Sequence, residues 1–211
     1  MPLFIMSDLS AEEVIKKRAE LRDKLTIQDV ITYFKTRPSY LEPDSIDEAI
    51  VQYFRLWGEA KSIFEFGCGC GRTLNLLKQK YPGIDAFGID SNEGPINEGI
   101  HSFKLNLKCA DHTYLDEMRA NTYDFVLTLS VLDHIPPNKL KYIVNRLYSI
   151  SKQIFLAVEI MESTNAYTWI HDYESLGFRR VRMALKKGKI PYGFYVLQKP
   201  QSMIISEVEP R

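Results

Sequence analysis

Short apolar runs alternate with helical patterns along the chain from residue 61 onward. The runs have the length and composition of strands that are buried on both faces. Five are present: SIFEF, DAFGID, LNLKCA, YDFVLTLS and QIFLAVEI. Helical patterns lie between them at residues 71–80, 95–103, 113–119 and 138–150. This alternation predicts an α/β fold, in which a mostly parallel sheet is doubly wound with helices on both faces.

The C-terminal part of the chain departs from this alternation. The segment NAYTWIHDYESLG is predicted to be helical, and FRRVRMAL and YGFYVLQKP are predicted to be strands. The KKGKIP segment between these two strands is too short for a parallel crossover, which needs about a dozen residues. The last two strands should therefore pair antiparallel. We expect a seven-stranded, mostly parallel sheet with an antiparallel last strand.

The first 60 residues are predicted to form a helical cap. Three pairs have the capping-box spacing of a helix start: Ser10 with Glu13, Thr26 with Asp29 and Ser45 with Glu48. A loop with two prolines, TRPSYLEPD, precedes the third helix. We therefore expect a cap over residues 1–60, a core over residues 61–200 and a tail over residues 201–211, within one structural domain.

Charge and composition argue against several kinds of partner. The 211 residues include 27 Lys and Arg and 27 Asp and Glu, so no overall positive field attracts nucleic acid. The opening MPLFIM lacks the basic region of a signal and is too short to cross a membrane. Cys68, Cys70 and Cys109 cannot all pair, which suits a reducing compartment. We expect a cytoplasmic protein without a nucleic-acid or membrane partner.

The glycine cluster FEFGCGCG joins the first predicted strand to the helix that follows it. Glycines in such a turn let a ligand approach the backbone without Cβ atoms in the way. Glu65 lies just before the glycines, and Asp90 and Asp111 close the next two strands. An acid at the end of the second strand can bind both hydroxyls of a ribose. These features predict a site for an adenosine-containing ligand.

Two adenosine cofactors differ in the charge that they would bring to this turn. The pyrophosphate of NAD is anionic, and Glu65 would repel it. S-adenosylmethionine carries an ammonium and a sulfonium, which a carboxylate attracts. The GxGxG spacing also differs from the GxGxxG of NAD-binding turns. The residues therefore favour S-adenosylmethionine, and an NAD-binding oxidoreductase is the weaker alternative.

Four segments resemble the motifs of class I S-adenosylmethionine-dependent methyltransferases, in order and at normal spacing. They are EFGCGCG at 65–71, GID at 88–90, CADHTYL at 109–115 and YDFVLTLSVLDHIPP at 123–137. The resemblance covers residues 60–200 and implies S-adenosylmethionine as cofactor and S-adenosylhomocysteine as product. It implies these cofactor-binding residues: Glu65, Gly67, Gly69, Gly71, Asp90, Ser91, Ala110, Asp111, Leu129 and Ser130.

The same resemblance implies a role for each group of these cofactor-binding residues. The three glycines line the methionine end of the cofactor, with Glu65 near its ammonium. Asp90 holds the ribose, and Asp111 accepts a hydrogen bond from the adenine amino group. Leu129 and Ser130 lie beside the transferable methyl.

His134, in the segment SVLDHIPP after the fourth strand, is the candidate catalytic residue. It is placed to act as a general base for an acceptor that carries a proton. The alternative is that it orders the loop through a hydrogen bond. We expect no metal site, because Cys68 and Cys70 lack further ligands at suitable spacing. Asp133 and Glu159 likewise lack the Asp…Asp-Asn set that a catechol-type metal site in this family would require.

The methyl acceptor is the least determined part of the prediction. No Asn/Asp-Pro-Pro-aromatic run follows the fourth strand, which argues against methylation of base amines. A helical cap suggests an enclosed pocket for a small metabolite, with Arg37 and Tyr40 as candidates to cover the cofactor. We predict methyl transfer to an O, N or C nucleophile of a small molecule. The alternative is a non-catalytic, cofactor-binding member of the same fold.

Overall fold

The computed structural model describes residues 19–35, 37–57, 60–162, 165–186 and 190–200. Within these residues lies a sheet of seven strands: β1 Ser62–Phe66, β2 Asp85–Asp90, β3 Asn106–Cys109, β4 Tyr123–Leu129, β5 Ser151–Ile160, β6 Arg179–Lys186 and β7 Ile190–Gln198. Their spatial order is β3-β2-β1-β4-β5-β7-β6. The first five strands pair in parallel, whereas β7 is antiparallel to both of its neighbours. The predicted fold class is confirmed, and so is the antiparallel pairing of the last two strands.

Five α-helices lie wholly within the described residues: α1 Ile27–Phe34, α2 Ser45–Phe54, α3 Arg72–Lys80, α4 Glu93–Phe103 and α5 Pro137–Ile150. Short 3₁₀ turns occur at Arg55–Trp57, His112–Asp116, Leu132–His134 and Glu174–Leu176. The helical patterns at 71–80, 95–103 and 138–150 correspond to α3, α4 and α5. No helix in the described part of the chain is both long and apolar enough to cross a membrane.

Helices cover both faces of the sheet, which explains why its central strands β1, β4 and β5 are mostly buried and apolar. Successive strand residues point to opposite faces. Ile63 in β1 packs in a cluster with residues of α2, α3 and α4, whereas its neighbour Phe64 packs in a second cluster with residues of α5. The ends of the strands therefore project between two helical layers, where ligands of open α/β sheets bind.

Capping interactions fix the starts of the two N-terminal helices. Thr26 and Asp29 form the predicted capping box at α1. At α2 the predicted pair was wrong by one residue, because the box is formed by Asp44 and Asp47. Asp44 has extended backbone, and its carboxylate accepts from the backbone N–H of Ile46 at 2.9 Å. The predicted pair Ser10 and Glu13 and the predicted tail over residues 201–211 lie outside the described residues.

Two segments that were predicted to be helical are not α-helices. Within 113–119 only a 3₁₀ turn forms, and the carboxylate of Asp111 caps it. Within 165–177 only Glu174–Leu176 is helical, again as a 3₁₀ turn. The backbone N–H of Trp169 instead donates to the Asp133 carbonyl, 2.7 Å away, in the loop after β4. Tertiary hydrogen bonds of this kind replace the helical ones, and the local pattern carries no sign of them.

Candidate active site

The carboxyl ends of β1, β2 and β4 surround a cavity of about 420 Å³. This volume lies in the range of small-molecule and cofactor pockets. Most of the predicted site residues line the cavity: Glu65, Gly67, Gly69, Asp90, Ser91, Ala110, Asp111, Leu129, Ser130 and His134. Gly71 is not among the lining residues. The structure therefore brings together nearly the whole predicted set at one edge of the sheet.

The glycines of the turn between β1 and α3 are needed for two different reasons. Gly67, Gly69 and Gly71 have φ angles of 74°, 55° and 74°. A Cβ on Gly67 would lie 2.3 Å from a methyl of Val131, and one on Gly71 would lie 2.6 Å from a methyl of Leu105. A Cβ on Gly69 would meet nothing within 4 Å. Packing thus requires Gly67 and Gly71, whereas Gly69 keeps the backbone open to the cavity.

Asp90, at the end of β2, connects the glycine turn to α4. Its Oδ2 accepts from the backbone N–H of Gly69 at 2.9 Å, and its Oδ1 accepts from that of Asn92 at 2.8 Å. Burial raises the pKa of Asp90, and these backbone donors act against the rise. A carboxylate has about four acceptor positions. Asp90 therefore holds the turn and still has capacity to accept from a ligand.

Glu65, in β1, lines the cavity and carries a buried, unsatisfied carboxyl oxygen. Its side chain is 2% exposed, and its Oε2 has no hydrogen-bond partner among the described residues. Burial, followed by repulsion from the Asp47 carboxylate, raises the pKa of Glu65 well above its ordinary value. A buried acceptor without a donor is costly. A cationic group of a ligand in the cavity would relieve this cost, so the position suits an ammonium.

Asp111, after β3, combines a structural bond with exposure to the cavity. Its Oδ1 accepts from the backbone N–H and the hydroxyl of Thr113, at 2.9 and 2.6 Å. These bonds lower its pKa, and the hydroxyl bond is the larger cause. The neighbouring Ala110 is fixed by a 2.9 Å bond from its N–H to the Asp90 carbonyl. The two residues form a wall opposite the glycine turn.

The cysteines of the glycine cluster are packing and anchoring residues. Cys68 is buried, and its sulfur would lie 2.7 Å from a Cβ on Gly88, so it fills the space beside β2. Cys70 donates its thiol proton to the Tyr40 carbonyl at 3.3 Å. Burial raises the pKa of both thiols. Within the described ranges, no group of three or more His, Cys, Asp or Glu side chains is arranged to hold a metal ion.

The loop after β4 is held by a buried carboxylate from β5. Glu159 accepts from the Thr128 hydroxyl at 2.6 Å and from the backbone N–H groups of Val131 and Asp133 at 3.0 and 3.3 Å. Burial raises the pKa of Glu159 to about 8. Ser130 begins the loop with a φ of 53°. This clamp fixes where Ser130 and His134 enter the site.

His134 lies between the main cavity and a second cavity of about 250 Å³. The residues that line both cavities are Phe34, Arg37, Ser130, His134 and Tyr192. The ring of His134 packs against that of Phe34, with 4.5 Å between their centroids. Its Nδ1 lies 2.6 Å from the Tyr167 carbonyl oxygen. The predicted alternatives for His134 are therefore compatible, since one ring nitrogen orders the loop and the other faces the site.

Several lining residues were not predicted from the sequence. Ile27, Val30, Ile31 and Phe34 of α1 line the cavity, and their i, i+3, i+4, i+7 spacing was the signal that marked this face. Asn92 donates from its side chain to the carbonyls of Phe34 and Arg37, at 2.8 and 3.2 Å. It thereby fixes the loop in which Arg37 and Tyr40 line the cavity, as predicted for cover residues.

A buried ion-pair network was also missed. The Nε of Arg72, at the start of α3, lies 2.8 Å from an oxygen of Asp47, and the Thr73 hydroxyl donates to Asp47 at 2.7 Å. Asp47 is fully buried. The network connects α2 to the glycine turn, and its partners are too far apart in sequence for their contact to be read from spacing.

Comparison with known proteins identifies the class of this fold. Residues 63–153 match the family model described as a methyltransferase domain. The chain is similar to magnesium protoporphyrin IX methyltransferase from Synechocystis PCC 6803, solved with bound S-adenosylmethionine (TM-score 0.63, 16% identity, 82% of this chain and 97% of that chain). It is also similar to S-adenosylmethionine-dependent methyltransferases from Archaeoglobus fulgidus (0.58, 18%, 73% and 93%) and Aquifex aeolicus (0.56, 17%, 82% and 98%). A comparison with curated proteins gave no match.

The matches define a Rossmann-like methyltransferase fold. At these identities the solved structures establish the fold, and the family model adds the sequence pattern within residues 63–153. These matches support the predicted class I S-adenosylmethionine-dependent methyltransferase family and the predicted cofactor, and the nicotinamide alternative is not supported.

Proposed function

We propose that this enzyme transfers a methyl group from S-adenosylmethionine to an O, N or C nucleophile of a small molecule. One observation carries the proposal. The cavity that contains the predicted cofactor residues adjoins a second cavity, and Ser130 and His134 line both. The first cavity suits the cofactor, and the second suits an acceptor of limited size.

The predicted cofactor residues have geometry that supports their proposed roles. Asp90 has acceptor capacity left for the ribose hydroxyls. Glu65 offers an unsatisfied Oε2 to the ammonium of the cofactor. Ser91 supports the ribose beside Asp90, and Ala110 and Asp111 bind adenine. Gly67 and Gly69 line the methionine end. Gly71 contributes by shaping the turn at the start of α3.

When bound, S-adenosylmethionine supplies an electrophilic methyl group on a sulfonium. The residues of the chain align the acceptor and exclude water, which are large effects in such displacements. Leu129 and Ser130 line the cavity and would lie beside this methyl group. We assign the general base to Nε2 of His134, since the Tyr167 carbonyl occupies Nδ1. Burial lowers the pKa of His134, which keeps the ring neutral and basic near pH 7.

The proposal of a small acceptor rests on the size of the second cavity. It measures about 250 Å³, and Phe34 of α1 and Arg37 of the loop after it line both this cavity and the cofactor cavity. We propose that residues 1–60 act as a cap on a core of residues 61–200. The balanced charge supports a small molecule over a nucleic acid. The free thiols of Cys68, Cys70 and Cys109 support a reducing cytoplasm as its location.

The alternative of a non-catalytic member predicts a blocked acceptor space beside Ser130. The cavity there is open and is bordered by polar side chains, including Asp133 and His134. This observation favours catalysis.

Calorimetric titration with S-adenosylhomocysteine and NAD tests the proposal. We expect micromolar binding of the first and none of the second. Asp90→Ala should weaken binding by more than about tenfold, because the ribose loses a buried acceptor. Asp85→Ala, at the exposed opposite end of β2, is the control and should bind as the wild type does. Unchanged affinity in Asp90→Ala would mean that the ribose lies elsewhere.

A further inference from the structure

The inner end of the second cavity carries two hydrogen-bond acceptors without donors. Oδ1 of Asp133 is buried and has no hydrogen-bond partner in the described part of the chain. Nε2 of His134 lies 3.6 Å from it, which is too far for a hydrogen bond between them. Both residues line the cavity. The structure therefore holds two polar atoms at a fixed separation and leaves them for a third group.

The protonation of His134 follows from its contact with the loop before β6. Nδ1 lies 2.6 Å from the Tyr167 carbonyl oxygen, and a carbonyl only accepts. Nδ1 must therefore carry the proton. In the neutral ring, Nε2 then presents a lone pair to the cavity. His134 is an acceptor on this side, not a donor to Asp133.

Asp133 is positioned rigidly, with one oxygen satisfied and one not. Its Oδ2 accepts from the Ser130 hydroxyl at 3.2 Å, and the side chain is 1% exposed. The nearby Glu159 accepts from three donors. Burial raises its pKa to about 8, and its hydrogen bond to the Asp133 carboxyl favours the ionised form of Asp133. Burial raises the pKa of Asp133 to about 7. A cationic partner in the cavity would stabilise the carboxylate and relieve this cost.

The outer end of the same cavity has the opposite charge. Arg37 lines it and is exposed, in contrast to Asp133. The guanidinium packs 4.7 Å from the ring centre of Tyr33 and donates to the Tyr33 hydroxyl. No carboxylate lies within 4 Å of it in the residues that the structure describes. A guanidinium has five N–H donors, so most remain for an anion.

We propose that the methyl acceptor is a small amine that also carries a carboxylate. Its nitrogen donates to Oδ1 of Asp133 and Nε2 of His134, and its carboxylate pairs with Arg37. A hydroxyl has one hydrogen and would leave one of the two inner acceptors unsatisfied, whereas an amine satisfies both. This inference rests on the proposed function and names the substrate class of that same site.

The chemical step balances with these groups alone. The ammonium form of the acceptor gives one proton to Nε2 of His134, which frees the nitrogen lone pair. A bond forms from nitrogen to the methyl carbon, the bond from sulfur to that carbon breaks, and its electron pair stays on sulfur. The product is an N-methylated ammonium, and His134 releases its proton to solvent. Asp133 remains ionised and offsets the positive charge throughout.

The test titrates matched compounds into the protein saturated with S-adenosylhomocysteine. The amino acids are glycine, 3-aminopropionate and 4-aminobutyrate, and each is compared with the hydroxy acid and the carboxylate-free amine of the same length. We expect at least one amino acid to bind with Kd below about 1 mM, and its two analogues to bind at least about tenfold more weakly. Equal binding of the hydroxy acid, or no binding of any amino acid at about 10 mM, would overturn the proposal.

Variants separate this inference from the proposed function. Asp133→Asn replaces the carboxylate of Asp133 by an amide beside Nε2 of His134. It should weaken amino-acid binding at least about tenfold and leave the affinity for S-adenosylhomocysteine unchanged. Asp172→Asn, an exposed residue that caps Ser175, is the matched control. If S-adenosylhomocysteine itself fails to bind the wild type, the proposed function fails. If it binds and Asp133→Asn binds the amino acid normally, only this inference fails.

Discussion

The cofactor cavity and the acceptor cavity are assembled in different ways. The cofactor cavity is built mainly from short segments at the ends of adjacent parallel strands, and α1 and the loop after it complete its lining. The acceptor cavity is built from four parts of the chain that are distant in sequence: Phe34 and Arg37; Ser130, Asp133 and His134; Ile160 and Asn165; and Ile190 and Tyr192. The first arrangement depends on local backbone geometry, and the second depends on tertiary packing.

This difference extends to what each cavity needs in order to function. Glycine conformations and backbone hydrogen bonds to Asp90 shape the cofactor side. On the acceptor side, the carboxylates of Asp133 and Glu159 are buried together, and only Glu159 is fully satisfied. We therefore expect substitutions on the acceptor side to change turnover, and those in the glycine turn to change stability and cofactor affinity.

The largest effect is expected for His134→Ala, which should change turnover and not cofactor affinity. His134→Ala should lower kcat about 10²- to 10⁴-fold, because the acceptor loses its general base. Affinity for S-adenosylhomocysteine should stay within about twofold of the wild type, since His134 borders that site without carrying a ligand charge. The measurements are initial rates of methyl transfer from labelled cofactor to the amino acid that binds best, and calorimetry.

His171→Ala is the matched control for His134→Ala. His171 also contacts a backbone carbonyl, that of Ile135 at 3.0 Å, but it lines neither cavity. Loss of a ring-to-carbonyl bond alone should therefore leave kcat nearly unchanged. Equal losses of kcat in both variants would assign His134 to loop order and would remove it as a base.

A smaller effect distinguishes two glycines within the cofactor cavity. Gly67→Ala should lower the free energy of unfolding by about 3 kcal/mol, because the new methyl collides with Val131 and the positive φ adds strain. Gly69→Ala should cost about 1 kcal/mol from φ alone, since no atom opposes its Cβ. Gly69→Ala should nevertheless weaken cofactor binding, because its methyl enters the cavity.

Urea denaturation and calorimetry measure these two changes. The expected order is that Gly67→Ala is the less stable variant and that Gly69→Ala is the folded variant with weaker affinity for S-adenosylhomocysteine. A Gly69→Ala protein that binds with wild-type affinity would show that the cofactor does not approach the turn at that residue.

The contrast between the cavities also explains what could be predicted from the sequence. Glu65, Asp90 and Asp111 were found because each lies at or near the end of a strand, and parallel strands bring their ends together. Asn92 and the face of α1 were missed, although the apolar spacing of Ile27, Val30, Ile31 and Phe34 was visible. The segment 165–177 was wrongly predicted to be a helix. Its hydrogen bonds to Asp133 and His134 are tertiary and leave no pattern in the sequence.

Asp133 and Glu159 are the clearest examples of residues whose roles could not be predicted from the sequence. The two carboxylates were considered only as metal ligands, because a sequence does not show that one of them clamps a loop. Their separation of 26 residues carries no periodic signal, and the contact arises only when β5 pairs with β4. Only contacts that follow from the periodicity of a strand or a helix could therefore be predicted from the sequence.

A further effect concerns the buried carboxylates and the pH dependence of stability. Burial raises the pKa of Glu159 from 4.5 to about 8 and that of Asp133 from 3.8 to about 7. Between about pH 5 and pH 8 the folded protein therefore holds more protons than the unfolded chain, which ionises near the ordinary values. Stability should fall as pH rises through this window, and urea midpoints at each pH measure the fall.

Glu159→Gln should reduce this pH slope without removing it, since Asp133 still titrates. The amide can accept from the N–H groups of Val131 and Asp133 and donate to the Thr128 hydroxyl, so the clamp is kept. Glu162→Gln, at an exposed position, should follow the wild type and serves as the control. A slope that is unchanged in Glu159→Gln would mean that Glu159 is ionised in the folded protein across the range. The three donors that surround it would then outweigh its burial, and a permanent negative charge would lie behind Asp133, which lines the acceptor cavity.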